Sequence, residues 1–415
     1  MNNLEKKIES LFSAALSLQG AGEGKKAIDL LDEIIQKKPD FVDAYVLKGA
    51  ILQDEEDFIE AESSYRIALE LERNQPEALQ GFGLFLVSQE RYEESITYLK
   101  KHLEMSPEDE TSLNGLIKAF SNLPNREDDI LETLRQAWAK SQNIDIGLKY
   151  GFYLSVINNE KDKAYEVFKD VLDLSKTITT LTEFAYSCWY FDDYDMAIDL
   201  LKEAISIDSS SIVAWRLLAN CYYQKDDYSK ALETVEEAIA LDSNDYRNWR
   251  LKTDIFIKNK EYEKALISAE KGIKLIEKNS EILESLKDTL VNPFFQKIFI
   301  LLKQEEISKA LETVTEAKNL IPKNIHFYLY PAQKLTELGL TNKALELLDS
   351  NEDPELEKYF EPYRYLLLHR LNRIEEAKRF IEPIINSTPE KSDFLAAIAA
   401  DKYFDGEPLL DLGVT

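Results

Sequence analysis

The run D-Y-D-M-A-I-D-L-L-K-E-A-I at Asp193–Ile205 returns as D-Y-S-K-A-L-E-T-V-E-E-A-I at Asp227–Ile239 and as E-Y-E-K-A-L-I-S-A-E-K-G-I at Glu261–Ile273. The interval is 34 residues both times. Upstream of each run stands a bulky residue and, four places later, a small one: Leu181 with Ala185, Trp215 with Ala219, Trp249 with Thr253. A fixed period of this length is the mark of a repeat architecture, and it decides the fold before any local propensity does.

Extended in both directions, the register gives about eleven units, starting near Ile8, Val42, Pro76, Glu110, Asp145, Ile178, Ile212, Tyr246, Val291, Ile325 and Lys358. The twentieth place then reads Ala27, Ala61, Ser95, Ile130, Ala164, Ala197, Ala231, Ala265, Ala310, Ala344 and Ala377. A small side chain is needed wherever two helices cross closely. The twenty-fourth place is apolar throughout, from Leu31 and Tyr65 to Leu348 and Ile381, as a ridge between packed helices requires. Pro39, Pro107, Pro322 and Pro389 fall at the thirty-second place, where a helix should stop.

This pattern resembles the tetratricopeptide repeat family, whose 34-residue unit is a helix, a turn and a second antiparallel helix. The resemblance implies an all-α, right-handed α-solenoid superhelix of about eleven units. One helix pair cannot bury its own apolar face, and stacked pairs bury a continuous core between neighbours.

Three departures are expected. Leu123-Pro124-Asn125 and the late Ile130 predict a lengthened turn in the fourth unit. About eleven residues exceed the register before Val291, and Ile282, Leu283, Leu286 and Leu290 within them keep helical spacing. The organisation read from this is an N-terminal array over 1–279, an insertion or extended helix over 280–290, and a C-terminal array over 291–391. A capping helix over 392–404 and a tail over 405–415 complete it. Asn292-Pro293 reads as a helix start, Asn capping and Pro in the first turn.

Composition agrees with helices and excludes several functions. Only 13 Gly and 12 Pro in 415 residues leave few turn formers for an all-β fold. The 77 acidic residues outnumber the 50 basic ones, a formal charge of −27. That balance argues against direct nucleic-acid binding and against an anionic membrane surface, and it would steer a basic partner toward the chain. No stretch is apolar enough to span a bilayer. Lys6 and Lys7 before Leu11–Leu18 imitate a weak signal peptide, but Glu5 and Glu9 spoil it, so a cytoplasmic protein is expected.

No catalytic constellation is visible. His102, His326 and His369 lie in different units, and Cys188 and Cys221 fall at packing places, so neither a zinc site nor a disulfide framework is expected. There is no phosphate-cradling glycine loop and no nucleophile elbow. No enzyme and no cofactor are expected.

What remains is surface. In the family, first helices line a concave groove through the second, fifth, ninth, twelfth and thirteenth places. Carried over, those places give Lys149, Tyr153 and Val156 in the fifth unit, then Thr182, Tyr186, Trp189 and Tyr190 in the sixth. The seventh gives Arg216, Asn220, Tyr223 and Gln224, and the eighth gives Arg247, Arg250, Asp254 and Lys258. The ninth gives Phe295, Phe299 and Leu302. An aromatic stretch followed by a basic one suits a peptide segment or helix of a partner protein.

A subclass of the family clamps the C-terminal carboxylate of heat-shock chaperones. Arg216 and Asn220 match its first pair loosely, but Leu251 stands where Asn is required, and Asn292 and Phe295-Gln296 replace the basic pair. The expected function is therefore a non-catalytic scaffold or adaptor. A peptide-responsive sensor and an assembly factor or co-chaperone are the alternatives. The sequence does not fix the oligomeric state.

Overall fold

The structure is a computed structural model that describes residues 3–157, 159–286, 292–321, 323–351 and 353–385. The expected capping helix over 392–404 and the tail lie outside them. Among the described residues there are 23 helices and no strand. Eleven consecutive antiparallel pairs run from α1 (Asn3–Gly20) with α2 (Gly24–Lys37) to α22 (Pro354–Arg370) with α23 (Ile374–Ile385). One short helix, α17 (Ser280–Ser285), stands outside the pairing.

First helices begin at Val42, Pro76, Glu110, Ile178, Ile212 and Tyr246, on the sequence register. Those of the first and last units begin earlier, at Asn3 and Pro354. At the C-terminal end the reason is local: Asp353 caps the helix and Pro354 opens it.

The small-residue ladder is the core. All eleven twentieth-place residues are buried, none more than 3% exposed. Every described twenty-fourth-place residue is buried beside them. A larger side chain at the ladder would force the two helices of a unit apart, at about 1–3 kcal/mol per site. The apolar clusters are local and sequential, one joining Val87 to Ile146, another Ala219 to Ile255. A solenoid core is built this way, from neighbour to neighbour.

The turns inside the units share one device. Glu56, Glu90, Asp192, Asp226, Lys260, Glu305 and Asn372 all adopt the left-handed conformation, with φ between 58° and 63°, and Gly22 and Gly339 do so in two further units. In the second unit the Glu56 N–H donates to the Gln53 carbonyl at 3.1 Å and the Asp57 N–H to the Leu52 carbonyl at 2.8 Å. These are the paired bonds of a Schellman ending, which satisfy carbonyls the helix leaves open. Fourth-place aromatics fix the opposite ends. Tyr45, Trp215 and Trp249 donate to the carbonyls of Pro39, Ser209 and Ser243, each six residues earlier in the preceding loop.

The chain divides into two compact units, Met1–Ile207 and Asp208–Thr415. In the first, α3 (Val42–Asp54), α5 (Pro76–Ser88) and α7 (Glu110–Ser121) contact one another in order, as do α9 (Ile144–Val156) and α11 (Ile178–Tyr190). The turn after α7 is longer than the standard three residues, as expected: α8 begins only at Glu127. In the second unit, α18 (Pro293–Lys303) packs directly on α15 (Tyr246–Lys258) and α16 (Tyr262–Ile276). Of the surplus residues before it, the described part is α17 and Leu286; Leu286 is buried in the same apolar cluster as Ile276 and Phe294, with Ile282 and Leu283 of α17 packed against it. Asn292 accepts the N–H groups of Phe294 and Phe295, and Pro293 opens α18.

His102 is a core histidine, its Nδ1 2.9 Å from the Ser112 hydroxyl. Cys188 and Cys221 are buried free thiols. Burial pushes the Cys188 thiol up to about 12.

Candidate partner-binding faces

The first face lies on α9 and α11 in the first unit. The fifth repeat carries a phase shift that the sequence reading missed. Four residues separate Val156 from Lys161, the start of α10 (Lys161–Leu174), where most units have three. Counting back from Ala164 through a standard turn therefore placed α9 one residue late. The ninth place, facing Tyr186, belongs to Phe152 and not to Tyr153. The ring centroids of Phe152 and Tyr186 are 6.2 Å apart, and Tyr186 is 5.6 Å from Trp189.

Phe152, Tyr186 and Tyr190 are 37%, 39% and 40% exposed, an unusual amount for large aromatics on adjacent helices of a packed stack. Tyr153 is half-buried, edge-on to Phe152 at 5.8 Å, and burial raises its hydroxyl pKa. The Trp189 Nε1–H is shielded and has no acceptor. Lys149 reaches back to α7, with Nζ 2.8 Å from Glu110 Oε2 and 3.3 Å from Asn114 Oδ1. It ties two repeats together, so it is not a free groove cation.

Close packing holds these rings. Gly151 lets α9 approach the second helix of its own repeat: a Cβ there would lie 2.8 Å from Phe168 Cε2. Phe168 stacks face to face on Phe184 at 5.2 Å, and both are buried. The outward aromatics of α9 and α11 thus stand on a rigid inner pair.

The second face lies on α13 (Ile212–Gln224), α15 and α18. Its arginines are not free. Arg216 Nη1 is 2.8 Å from Asp245 Oδ2, and both side chains are largely shielded. Arg247 forks onto the same carboxylate, Nε to Oδ1 at 2.8 Å and Nη2 to Oδ2 at 2.7 Å. Asp245 also accepts the Arg247 N–H and so caps α15. Burial alone would raise the Asp245 carboxyl. Hydrogen bonds from the Arg247 side chain and N–H, with the charge of Arg216, outweigh it and hold the pKa below the usual value. Burial lowers the Arg216 pKa, and the charges of Arg247 and Arg250 lower it further.

Arg250 Nη1 stands 3.4 Å from Asp254 Oδ2, and Gln296 Nε2 donates to the other oxygen of Asp254 at 2.6 Å. Burial raises the Asp254 carboxyl and pushes Tyr223 up to about 12. Arg216 and Arg247 share Asp245 and Arg250 pairs with Asp254, while Asp242 also lies within electrostatic reach of Arg247. The exposed cations of this face are Arg247, 55% exposed, and Lys258. Asn220 and Tyr223, on α13, are half-buried.

Two expected groove residues need correction or refinement. Phe295 is a core residue, 5% exposed, with its ring stacked on Phe327 at 4.6 Å. Its place in the repeat is the counted one; it is buried because Phe327 and Tyr330, from the next first helix, pack against its ring. Phe299 is half-buried with the Lys303 ammonium 5.7 Å above its ring. Sequence reasoning missed Phe152 and Asp245. The signal for the first was Gly147 and Gly151 at the large and small places, which put the helix start at Ile144. The signal for the second was an Asp directly before a helix that carries two arginines.

Among the described residues, no group of three His, Cys, Asp or Glu side chains could hold a metal ion. No described helix is long and apolar enough to cross a membrane.

Comparison with known proteins places the fold. One tetratricopeptide repeat family model matches residues 42–75 and 76–109, and another matches 191–255. Solved structures match the chain at low identity and with TM-scores below 0.5. Pseudomonas aeruginosa pilF is 17% identical over 53% of this chain and 100% of its own, with a TM-score of 0.39. A tetratricopeptide repeat protein from Parabacteroides merdae is 16% identical over 68% and 98%, with a TM-score of 0.38. A monomeric mutant of IFIT1 with Gppp-AAAA is 16% identical over 90% and 89%, with a TM-score of 0.46. No curated protein sequence matches the chain. Residues 42–109 and 191–255 are thus tetratricopeptide repeats, and helix pairs of the same kind continue on both sides of them, eleven pairs among the described residues.

Proposed function

We propose that this chain is a non-catalytic scaffold or adaptor that binds a segment of a partner protein on the faces of its first helices. Tetratricopeptide repeats generally mediate protein–protein interaction. The observation that carries the reading here is the exposed aromatic array of Phe152, Tyr186 and Tyr190 with half-buried Trp189. Rigid aromatics offer large contact area at small entropy cost, which is why they anchor interfaces. Arg247 and Lys258, the exposed cations of the second face, form the second contact, suited to carboxylates of the same or another partner. A cytoplasmic location fits this role.

The test is affinity purification with mass spectrometry, comparing wild type with Phe152→Ala/Tyr186→Ala and with Arg247→Gln/Lys258→Gln, in which Gln can still hydrogen-bond Asp245. Arg216 is unsuitable for charge reversal, because it would set a carboxylate against Asp245 in a shielded site. Captured proteins should be lost from at least one double variant at unchanged melting temperature. If both variants retain every partner of wild type, the first-helix faces are not the binding surface.

The alternative is a sensor whose stack changes pitch when a short peptide binds. Its support is the neighbour-to-neighbour core, whose many thin contacts in series make flexing cheap. A change in solution-scattering radius on adding peptide would favour it.

A further inference from the structure

We infer that the aromatic face of α9 and α11 receives a cationic side chain, arginine or lysine, carried by a segment of the partner. This rests on the reading that first-helix faces bind a partner, and it names the chemistry of that partner at one face.

Three observations converge. The first is the ring array itself. Phe152, Tyr186 and Trp189 form a connected set with centroid spacings of 6.2 and 5.6 Å, and Tyr190 adds a further exposed ring on α11. Aromatic faces carry negative quadrupole density and attract ammonium and guanidinium groups. The second is an unspent carboxylate. Glu183, Tyr186 and Tyr190 stand at i, i+3 and i+7 on α11, so they share one helix face. Glu183 is exposed and has no hydrogen-bond or ion-pair partner.

The third is the lack of a free cation to compete. Lys149 is the one basic residue on the two helices, and it is engaged by Glu110 and Asn114. Elsewhere in the same unit this chain covers rings with its own cations. Arg66 lies over Phe82 at 5.1 Å, Lys100 over Phe120 at 5.2 Å and Lys161 over Tyr165 at 5.2 Å. The exposed rings of α9 and α11 have no such cover. A cation brought by a partner would complete both the ring array and Glu183, and the −27 background would steer it there. A carboxylate brought to the same place would meet Glu183 and the negative ring faces.

The test uses the full chain and three synthetic peptides of equal length, ~12 residues: alternating Arg and Gly, alternating Glu and Gly, and a neutral proline-rich sequence. Binding is read by fluorescence anisotropy at low and moderate salt. The Arg–Gly peptide should bind, and weaken with salt. Tyr186→Ala and Glu183→Gln should each weaken it about fivefold or more, the scale of one cation–π or shielded charge contact. Asp29→Asn removes one exposed carboxylate from α2 and should leave binding unchanged. That control separates a site from general attraction to an acidic chain.

If Glu183→Gln and Tyr186→Ala have no more effect than Asp29→Asn, the inference is overturned. If the Glu–Gly or proline-rich peptide binds at α9 and α11 and the Arg–Gly peptide does not, the inference falls and the broader reading stands. If no peptide binds, the inference falls, and the pull-down above decides separately whether the faces bind a partner at all.

Discussion

Gly151→Ala tests the packing that presents the aromatic face, because two effects of known size oppose each other there. Replacing a helix-interior glycine by alanine gains about 1 kcal/mol of helix propensity. The added Cβ would lie 2.8, 2.9 and 3.1 Å from three atoms of the Phe168 ring. Carbon–carbon contacts are comfortable at about 3.5–4.0 Å. The ring cannot retreat, since Phe168 is buried and stacked on buried Phe184. Forced overpacking costs about 1–3 kcal/mol. Overlap with three atoms of a fixed ring puts the cost at about 2 kcal/mol within that range, so the net change should be a loss of about 1 kcal/mol.

Gly20→Ala is the control. It sits at the last position of α1 with no atom within 4 Å of its Cβ position, so no clash opposes the propensity gain, which at a helix end is smaller than about 1 kcal/mol. Native-state hydrogen exchange of α9 and α10 amides, with urea unfolding beside it, reads the difference. A stack of repeats need not unfold in one step, so the local measurement is the decisive one. Phe168→Leu should remove the penalty of Gly151→Ala, which a double-mutant cycle would show as a coupling of about 1–3 kcal/mol. If Gly151→Ala stabilises α9 as Gly20→Ala stabilises α1, the two helices do not approach closely and the reasoning fails.

Other outcomes follow from the same geometry. Asp245 has a lowered pKa in the folded protein, so its contribution is present above the ordinary Asp value near ~3.9 and is lost as pH falls through the folded value. Asp245→Asn should destabilise α15 at neutral pH by leaving Arg216 unpaired, and should flatten the acid limb of stability in melts between pH ~3 and ~7. Lys260→Gly should raise the stability of the eighth unit by up to about 1 kcal/mol, because Lys260 holds a left-handed φ of 60° that glycine adopts freely, whereas Lys260→Val should lower it. Cys188 and Cys221 should resist alkylation in the native state at pH ~8 and react on unfolding, as buried thiols do; fast labelling of Cys188 would contradict its burial.

The sequence made the helix pairs legible because the requirement at the twentieth place is purely steric. Two crossing helices tolerate only a small side chain, and Ala at 34-residue intervals states that without reference to context. Ser95 keeps the place small, and the large Ile130 occurs there in the unit whose turn is two residues longer than the standard three. The faces were less legible. A single extra turn residue before α10 rotates α9 by one position, and that exchanges exposed Phe152 for half-buried Tyr153. Counting fixes the second helix of a unit and not the first when turn length varies. Charge was misread for a different reason. Arg216, Arg247 and Arg250 look like a bare basic patch in sequence, but Asp245 and Asp254 fold onto them and leave only Arg247 and Lys258 well exposed.

Hydroxyl-radical footprinting of aromatic side chains, with and without a saturating captured partner, tests most directly that first-helix faces do the binding. Phe152, Tyr186 and Tyr190 should label in the free protein and lose labelling in the complex, while buried Tyr65, Phe168 and Phe184 stay unlabelled throughout. Undiminished labelling of Phe152, Tyr186 and Tyr190 together with protection confined to the second helices would contradict the account.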